Sequence, residues 1–312
     1  MNIACLFPGQ GSQSVGMLRE LADAYPVVRE TFETASEVLG YDLWALVEQG
    51  PEAELNRTDR TQPAMLAAGV AVWRVWQQRG GARPAFLAGH SLGEYTALVC
   101  AEALTLPAAA GLVAARGRYM QEAVPAGQGA MAAILGLGDE QVKSACERSA
   151  QGEVVSAVNF NSPGQVVIAG HRDAVARAVD AAKVAGAKRA VPLPVSVPSH
   201  CSLMAPAAER LAASLCDVEI RRPVIPIFNN VDVQINNEPQ AIRDALVRQL
   251  VKPVRWVELI HALAGRGVVT VIECGPGKVL AGLNKRIVRD MAALPVQDPT
   301  SLEDALKAVG ET

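Results

Sequence analysis

The chain has 312 residues, half of them apolar and a fifth charged, with a formal net charge of −3. That length can bury one sizeable core, or a core with a smaller domain attached. A slightly acidic balance gives no global field that would gather nucleic acid or an anionic membrane surface, which excludes both as expected partners. No apolar run approaches the roughly 18 residues of a membrane span, and Met1 to Pro8 lacks the basic start of a leader. The expected location is the cytoplasm. Six cysteines, at positions 5, 100, 146, 201, 216 and 274, show no C-x-x-C spacing, which suits reduced thiols and implies no metal.

In chain order, residues 3–7 predict a buried strand that Pro8-Gly9-Gln10-Gly11-Ser12-Gln13 breaks. The glycines lack the spacing of a phosphate-binding loop. Two readings stay open: a plain turn, or a loop at the carboxyl end of a parallel strand, where open α/β sheets gather their sites. In the second, Gln10 offers a backbone N–H and a side-chain amide to a ligand. Residues 17–39 and 63–79 carry helical periodicity, the latter with a stripe of Ala64, Ala67, Ala68, Ala71 and Val75. Trp73 and Trp76 read as packing residues, and Gly80-Gly81 ends that helix.

Next comes the stretch on which the site depends. The apolar Ala85-Phe86-Leu87-Ala88 runs into Gly89-His90-Ser91-Leu92-Gly93, and a helical pattern follows from Glu94 to Ala101. Strand, G-x-S-x-G turn and helix read either as a turn whose glycines are only structural or as a nucleophile elbow, in which a serine hydroxyl projects beside free helix N-terminal amides. Negative charge arising there meets the helix dipole and the N–H of Leu92. His90 adjoins Ser91 and is expected to point away from it. A helix over about 106–123 follows. Arg118 stands four residues before Glu122, an ordinary exposed pair. Arg116, among Leu112, Val113, Tyr119 and Met120, lies on the apolar side with no acidic residue three or four positions away. A buried cation needs an anion: either a distant carboxylate or the carboxylate of a substrate, gripped by both guanidinium arms.

Between about 127 and 195 the pattern changes to strand (130–136), helix (139–149), strands (154–160 and 165–170), helix (173–185) and strand (187–193). This β-α-β-β-α-β order is the ferredoxin-like unit, inserted into the larger fold with a cleft between them. His171 reads as a surface residue. The expected fold is therefore an α/β-hydrolase-like large domain with a parallel sheet, made of 1–126 and 196–312, carrying an inserted ferredoxin-like small domain, 127–195.

The chain returns through Val195 to Cys201 into a helix of about 203–215, with Pro198 holding Ser199 and His200 in a loop. Of the four histidines, His200 is the best-placed general base for Ser91, the alternative being a cap or packing histidine. Cys201 beside it cannot face it, which disfavours a Cys-His pair. A strand is expected over 224–229 and a helix over 239–263, broken at Pro253. That proline removes the amide that would bond the Gln249 carbonyl, leaving an acceptor for an imidazole N–H. Residues 268–273 read as a last core strand, and 300–309 as a short amphipathic helix.

The combination of Phe7-Pro8-Gly9-Gln10-Gly11-Ser12-Gln13, Thr61-Gln62-Pro63-Ala64, Gly89 to Tyr95, Asn159 to Gln165, Val197-Pro198-Ser199-His200 and Glu273-Cys274-Gly275-Pro276-Gly277 resembles the malonyl-CoA:acyl carrier protein transacylase family across nearly the whole chain. The resemblance implies Ser91 as nucleophile, His200 as base and later acid, and the backbone amides of Gln10 and Leu92 as oxyanion hole. It implies that Arg116 binds the malonyl carboxylate and that the Gln249 carbonyl orients His200, with Gln62 and Asn159 near the pocket. Malonyl would pass by a ping-pong route through malonyl-serine to the phosphopantetheine thiol of acyl carrier protein, without a separate cofactor, in a protein expected to be monomeric. Lys188-Arg189 and Lys285-Arg286-Arg289 are basic clusters on which an acidic carrier could dock, unless they are ordinary solvated faces. A serine hydrolase and a non-catalytic carrier-binding subunit are the rival readings.

Overall fold

The structure is a computed structural model that describes residues 2–195 and 197–310. The expected return point to the large domain, Ser196, lies outside them. Nine strands occur among the described residues: β1 (Ile3–Phe7), β2 (Phe86–Gly89), β3 (Gly129–Leu135), β4 (Val155–Ser162), β5 (Gln165–His171), β6 (Arg189–Pro192), β7 (Ile227–Phe228), β8 (Thr270–Cys274) and β9 (Ala292–Val296).

Five of them form a parallel sheet in the order β7-β2-β1-β8-β9. Every residue of β1 and β8 is buried, as a parallel strand covered by helices on both faces must be. Phe7 registers with Gly89, so β1 and β2 end level. The loop after β1 and the turn after β2 therefore emerge side by side at the carboxyl edge. The sheet grows outward from β1 in both directions, which makes this edge a topological switch point.

The other four strands form an antiparallel sheet, β4-β5-β3-β6, the ferredoxin-like order. Alternation sorts its two faces. Ala132, Ile134, Val166 and Ile168 pack under the helices Asp139–Ala150 and Arg172–Val184, while Met131, Val158, Val167 and Ala169 gather with Cys201. The edge strand β4 is paired to the rest of the molecule: Val254 N donates to Val158 O at 2.9 Å and Phe160 N donates to Val254 O at 3.0 Å.

Several sequence expectations need correction. The helix expected from 63 spans Thr58–Gln78 with Pro63 inside it; near a helix N-terminus a proline forfeits one backbone bond and is tolerated. The strand expected over 224–229 shrinks to Ile227–Phe228, because Pro223 and Pro226 have no amide to give to a ladder. The helix expected over 239–263 is two helices, Pro239–Gln249 and Trp256–Gly265, so the break takes six residues rather than one. Strand β9 is an addition; Pro295 obscures it in the sequence and fits because β9 is an edge strand. A helix at Leu43–Gln49 is likewise new, capped by the Asp42 side chain, which accepts from Ala45 N at 2.8 Å. Glu122 pairs with Arg210 instead of Arg118. His171 is half-buried, and its Nδ1 accepts from Val154 N at 2.9 Å.

Candidate active site

The elbow works by close approach. An added Cβ on Gly89 would stand 1.9 Å from the Gly93 carbonyl carbon, and one on Gly93 would stand 2.1 Å from the Phe7 oxygen. Neither position has room for a side chain, so β1, β2 and the helix Gly93–Cys100 can close only on glycine. The positive φ of the turn is taken by Ser91 itself, at 51°, a conformation that costs an L-residue about 1–2 kcal/mol. Asn230 holds the strained turn in place. Its Oδ1 accepts from Ser91 N at 2.6 Å and its Nδ2 donates to Gly89 O at 2.7 Å.

His200 meets Ser91 from 109 residues away, with Nε2 at 2.8 Å from the Ser91 Oγ. Its Nδ1 lies 2.7 Å from the Gln249 carbonyl oxygen. A carbonyl can only accept, so Nδ1 carries the proton and Nε2 is left to take the serine proton. Burial, assisted by the nearby Arg116 charge, pushes the imidazole pKa down to about 3. The base is therefore neutral at any physiological pH. His90 does point away: its Nε2 donates to Asn161 Oδ1 of β4 at 2.8 Å, and its ring lies against Trp256. Burial lowers its pKa as well. His261 is on an exposed helix face and His171 is in the antiparallel sheet.

Arg116 is 1% exposed. Its Nη1 donates to Gln62 Oε1 at 2.8 Å, and its Nη2 donates to Gln249 Oε1 at 3.1 Å and reaches the Ser91 Oγ at 3.5 Å. The Tyr95 ring lies 5.4 Å away. Two neutral amide oxygens thus hold the guanidinium, and among the described residues no carboxylate forms an ion pair with it. Its Nε has no hydrogen-bond partner. Of the two origins the sequence left open for its anion, direct pairing with a distant carboxylate is absent among the described residues.

The remaining expected residues converge on one cavity of about 500 Å³. Gln10, Gln62, Ser91, Leu92, Arg116, Asn159 and His200 all line it. Gln10 is exposed at its mouth, and its side-chain amide leans on Thr58 Oγ1 at 3.5 Å, which leaves its backbone amide as the group to offer. An added Cβ on Gly9 would stand 2.5 Å from the His90 carbonyl oxygen, so the Gln10 loop must lie directly against the elbow. Met120, Met131, Val167, Leu193, Val197, Leu280 and Leu283 give the cavity an apolar wall.

Two residues, Glu94 and Asn230, escaped the sequence reading, as did the side chain of Gln249. For Gln249 the sequence pointed only to the carbonyl, yet its Nε2 also donates to Glu94 Oε2 at 2.8 Å and to Ser91 O at 3.1 Å. Glu94 is buried and also accepts from Asn230 N at 3.0 Å; burial pushes its carboxyl up to about 7, against these hydrogen bonds and the Arg116 charge. Asn230 follows an apolar strand of the parallel sheet, and that position at a strand's carboxyl end is the signal that could have found it.

A serine and a neutral histidine at bonding distance, beside a helix N-terminus and a buried guanidinium, have the chemistry that acyl transfer through a serine needs. The chain belongs to the family described as acyl transferase domain, which matches residues 5–303. It is 60% identical over 303 residues to a malonyl CoA-acyl carrier protein transacylase of Salmonella typhimurium, covering 97% of this chain and 98% of that one. Among solved structures it superposes on an acyl carrier protein S-malonyltransferase of Vibrio cholerae with a TM-score of 0.95 at 61% identity, over 97% of this chain and 99% of that one. It also superposes on a malonyl-transacylase in complex with its type II PKS acyl-carrier protein, with a TM-score of 0.98 at 59% identity, over 99% and 100% of the two chains.

Proposed function

We propose that this chain transfers malonyl from malonyl-CoA to the phosphopantetheine thiol of acyl carrier protein, supplying fatty-acid synthesis. The observation that carries the reading is Arg116, a buried guanidinium reaching 3.5 Å from the Ser91 Oγ, bonded to two amide oxygens and, among the described residues, in no ion pair. It is a receptor for an acyl group that ends in a carboxylate. The names of relatives close to 60% identical agree with it.

In the first half-reaction His200 Nε2 takes the Ser91 proton as Oγ attacks the thioester carbon. The developing oxyanion is received by the backbone amides of Leu92 and Gln10, and Gln249 O holds the imidazolium through Nδ1–H. Collapse breaks the C–S bond, and His200 returns the proton to the leaving thiolate, giving malonyl-Ser91 and coenzyme A. The carrier's thiol then attacks and the same steps run in reverse. Gln62 steadies Arg116, and Asn159 lines the wall. The acyl group moves between thiols by way of an ester, so no further cofactor of this chain takes part.

Residues 127–195 act as an inserted unit that closes one side of the cleft, and the working protein is a cytoplasmic monomer. Lys285 and Arg286 are exposed at the end of the helix Val279–Ile287, whose Val279, Leu280 and Leu283 line the cavity. Positive charge on a helix that also lines the cavity supports this helix as a docking surface for an acidic carrier.

The test is intact-protein mass spectrometry after brief mixing with malonyl-CoA or acetyl-CoA, before and after carrier is added. A malonyl adduct that is absent in Ser91→Ala and moves to the carrier supports the reading. Steady release of malonate without an adduct makes the protein a hydrolase, and neither adduct nor turnover makes it a binding subunit.

A further inference from the structure

The buried charges of the site stand in a line with one amide between them. Arg116 Nη2 donates to Gln249 Oε1, and on the other side of that amide Nε2 donates to Glu94 Oε2. Glu94 and Gln249 are buried and, among the described residues, are not part of the cavity lining. Glu94 therefore cannot touch a substrate in the cavity. Its position matters in two ways. As a carboxylate it only accepts, so it fixes the Gln249 amide with the oxygen toward Arg116. As a negative charge it partly neutralises a guanidinium that has no ion pair of its own.

Resting on the malonyl reading above, we propose that Glu94 is a positioning residue and counter-charge that sets how tightly Arg116 holds a substrate carboxylate. With the site empty, Arg116 and Glu94 sum to zero. A bound malonyl carboxylate adds a second negative charge within the same buried space, and repulsion from Glu94 loosens the grip. An acyl group that must leave with the next thiol gains from a clamp of limited strength, since binding substrate too tightly raises the barrier that follows. The other charged or titratable groups around Glu94 are Tyr95 beside it on its own helix, His200 across the Gln249 backbone, and the paired Asp232 and Arg248 nearer the surface. Tyr95 is pushed up to about 12 and His200 down to about 3, so neither changes charge near neutrality. Among these groups Glu94, raised to about 7, does so there; Glu273, also raised to about 7, is bonded to Leu280 N and Ala281 N instead, and the Glu94→Gln comparison separates the two.

The test uses full-length Ser91→Ala protein, which binds acyl-CoA without reacting, and titrates malonyl-CoA and acetyl-CoA into it at pH 6 and pH 8.5. The affinity for malonyl-CoA falls roughly tenfold as Glu94 ionises, beyond any change seen with acetyl-CoA. Adding Glu94→Gln, which still accepts both hydrogen bonds but carries no charge, abolishes this difference and leaves malonyl-CoA tightly bound at both pH values. The same pH dependence with and without Glu94→Gln overturns the proposal, as does an equal loss for malonyl and acetyl. Should the double variant fail to fold, calorimetry of Ser91→Ala at pH 7.5 in two buffers of different ionisation enthalpy replaces it. Malonyl-CoA then takes up a fraction of a proton that acetyl-CoA does not, and equal uptake overturns the proposal. Failure of the malonyl reading itself is distinct, because wild-type protein would then form no malonyl-Ser91 adduct.

Discussion

His200 Nδ1 stands 2.7 Å from the carbonyl oxygen of Gln249, and this bond, made to a main-chain oxygen rather than a carboxylate, sets how the base behaves. A carboxylate partner would hold the imidazole pKa up. A carbonyl does so weakly, and burial with the Arg116 charge takes it down to about 3. Because the pKa is lowered, His200 is a free base at every pH above that value. At saturating malonyl-CoA, and in the Glu94→Gln background where that carboxyl no longer titrates, the single-turnover rate of Ser91 malonylation should stay level from pH 7 to pH 5 by quenched-flow mass spectrometry. A fall with a midpoint near 6.5 would show an ordinary, solvated imidazole.

Arg116→Ala removes a charged partner from the acyl carboxylate and leaves a neutral gap bordered by the Gln62 and Gln249 amide oxygens. A charge-assisted hydrogen bond is worth roughly 1.5–3 kcal/mol, so kcat/KM for malonyl-CoA should drop about a hundredfold. Acetyl transfer should rise or hold, since the desolvated cation no longer faces a neutral methyl group. Equal losses for the two thioesters would sink the clamp role.

Asn230→Leu tests what holds the elbow. It leaves Gly89 O buried and Ser91 N part-buried without their partners, at about 1–3 kcal/mol for the buried group and less for the other. Urea unfolding should show a loss of about 2–4 kcal/mol on that scale, together with slower acylation of Ser91. A change within about 0.5 kcal/mol, the range of an ordinary surface substitution, would mean that Asn230 does not support the turn.

Gly93→Ala puts a methyl 2.1 Å from the Phe7 oxygen and 2.8 Å from its carbonyl carbon, both backbone atoms that cannot yield separately. Little folded protein should be recovered. Gly282→Ala is the control: it lies in the helix Val279–Ile287 with nothing within 4 Å of its added Cβ, and should be neutral or stabilising by up to about 1 kcal/mol. Thermal denaturation of the two distinguishes a packing constraint from a general intolerance of alanine.

Charge reversal at Lys285 and Arg286 should raise the KM for carrier protein several-fold and leave that for malonyl-CoA unchanged, since both side chains are exposed and neither lines the cavity. The effect should shrink as salt is added. An unchanged carrier KM would move docking elsewhere, with Lys188 and Arg189 the next surface to reverse.

How much of this was legible in the sequence depends on how local each signal is. The elbow was legible because strand, G-x-S-x-G and helix are contiguous. The inserted unit was legible because six short elements in β-α-β-β-α-β order already define a fold. The Gln249 carbonyl could be inferred because Pro253 removes an amide four residues later. Strand β9 was hidden by Pro295 and β7 was overextended, because a proline's meaning depends on whether its strand is at an edge, and sheet order is not a local property.

By itself the sequence determined which groups are available: one serine on a strained turn, one histidine where the chain re-enters the parallel-sheet domain, and one arginine on the apolar side of a helix. Only the tertiary structure decided what they are to each other. Ser91 and His200 become partners because the turn after β2 and the segment that holds His200, 109 residues later, meet in the folded chain. A carboxyl group that the sequence did not link to Arg116, that of Glu94, stands one amide away from it, just three residues after Ser91. Helical spacing cannot reveal that link, because the bridge is a glutamine 155 residues further on. Hydrogen bonds between buried side chains depend on ångström-scale approach in the folded core, and residue order does not encode that approach directly.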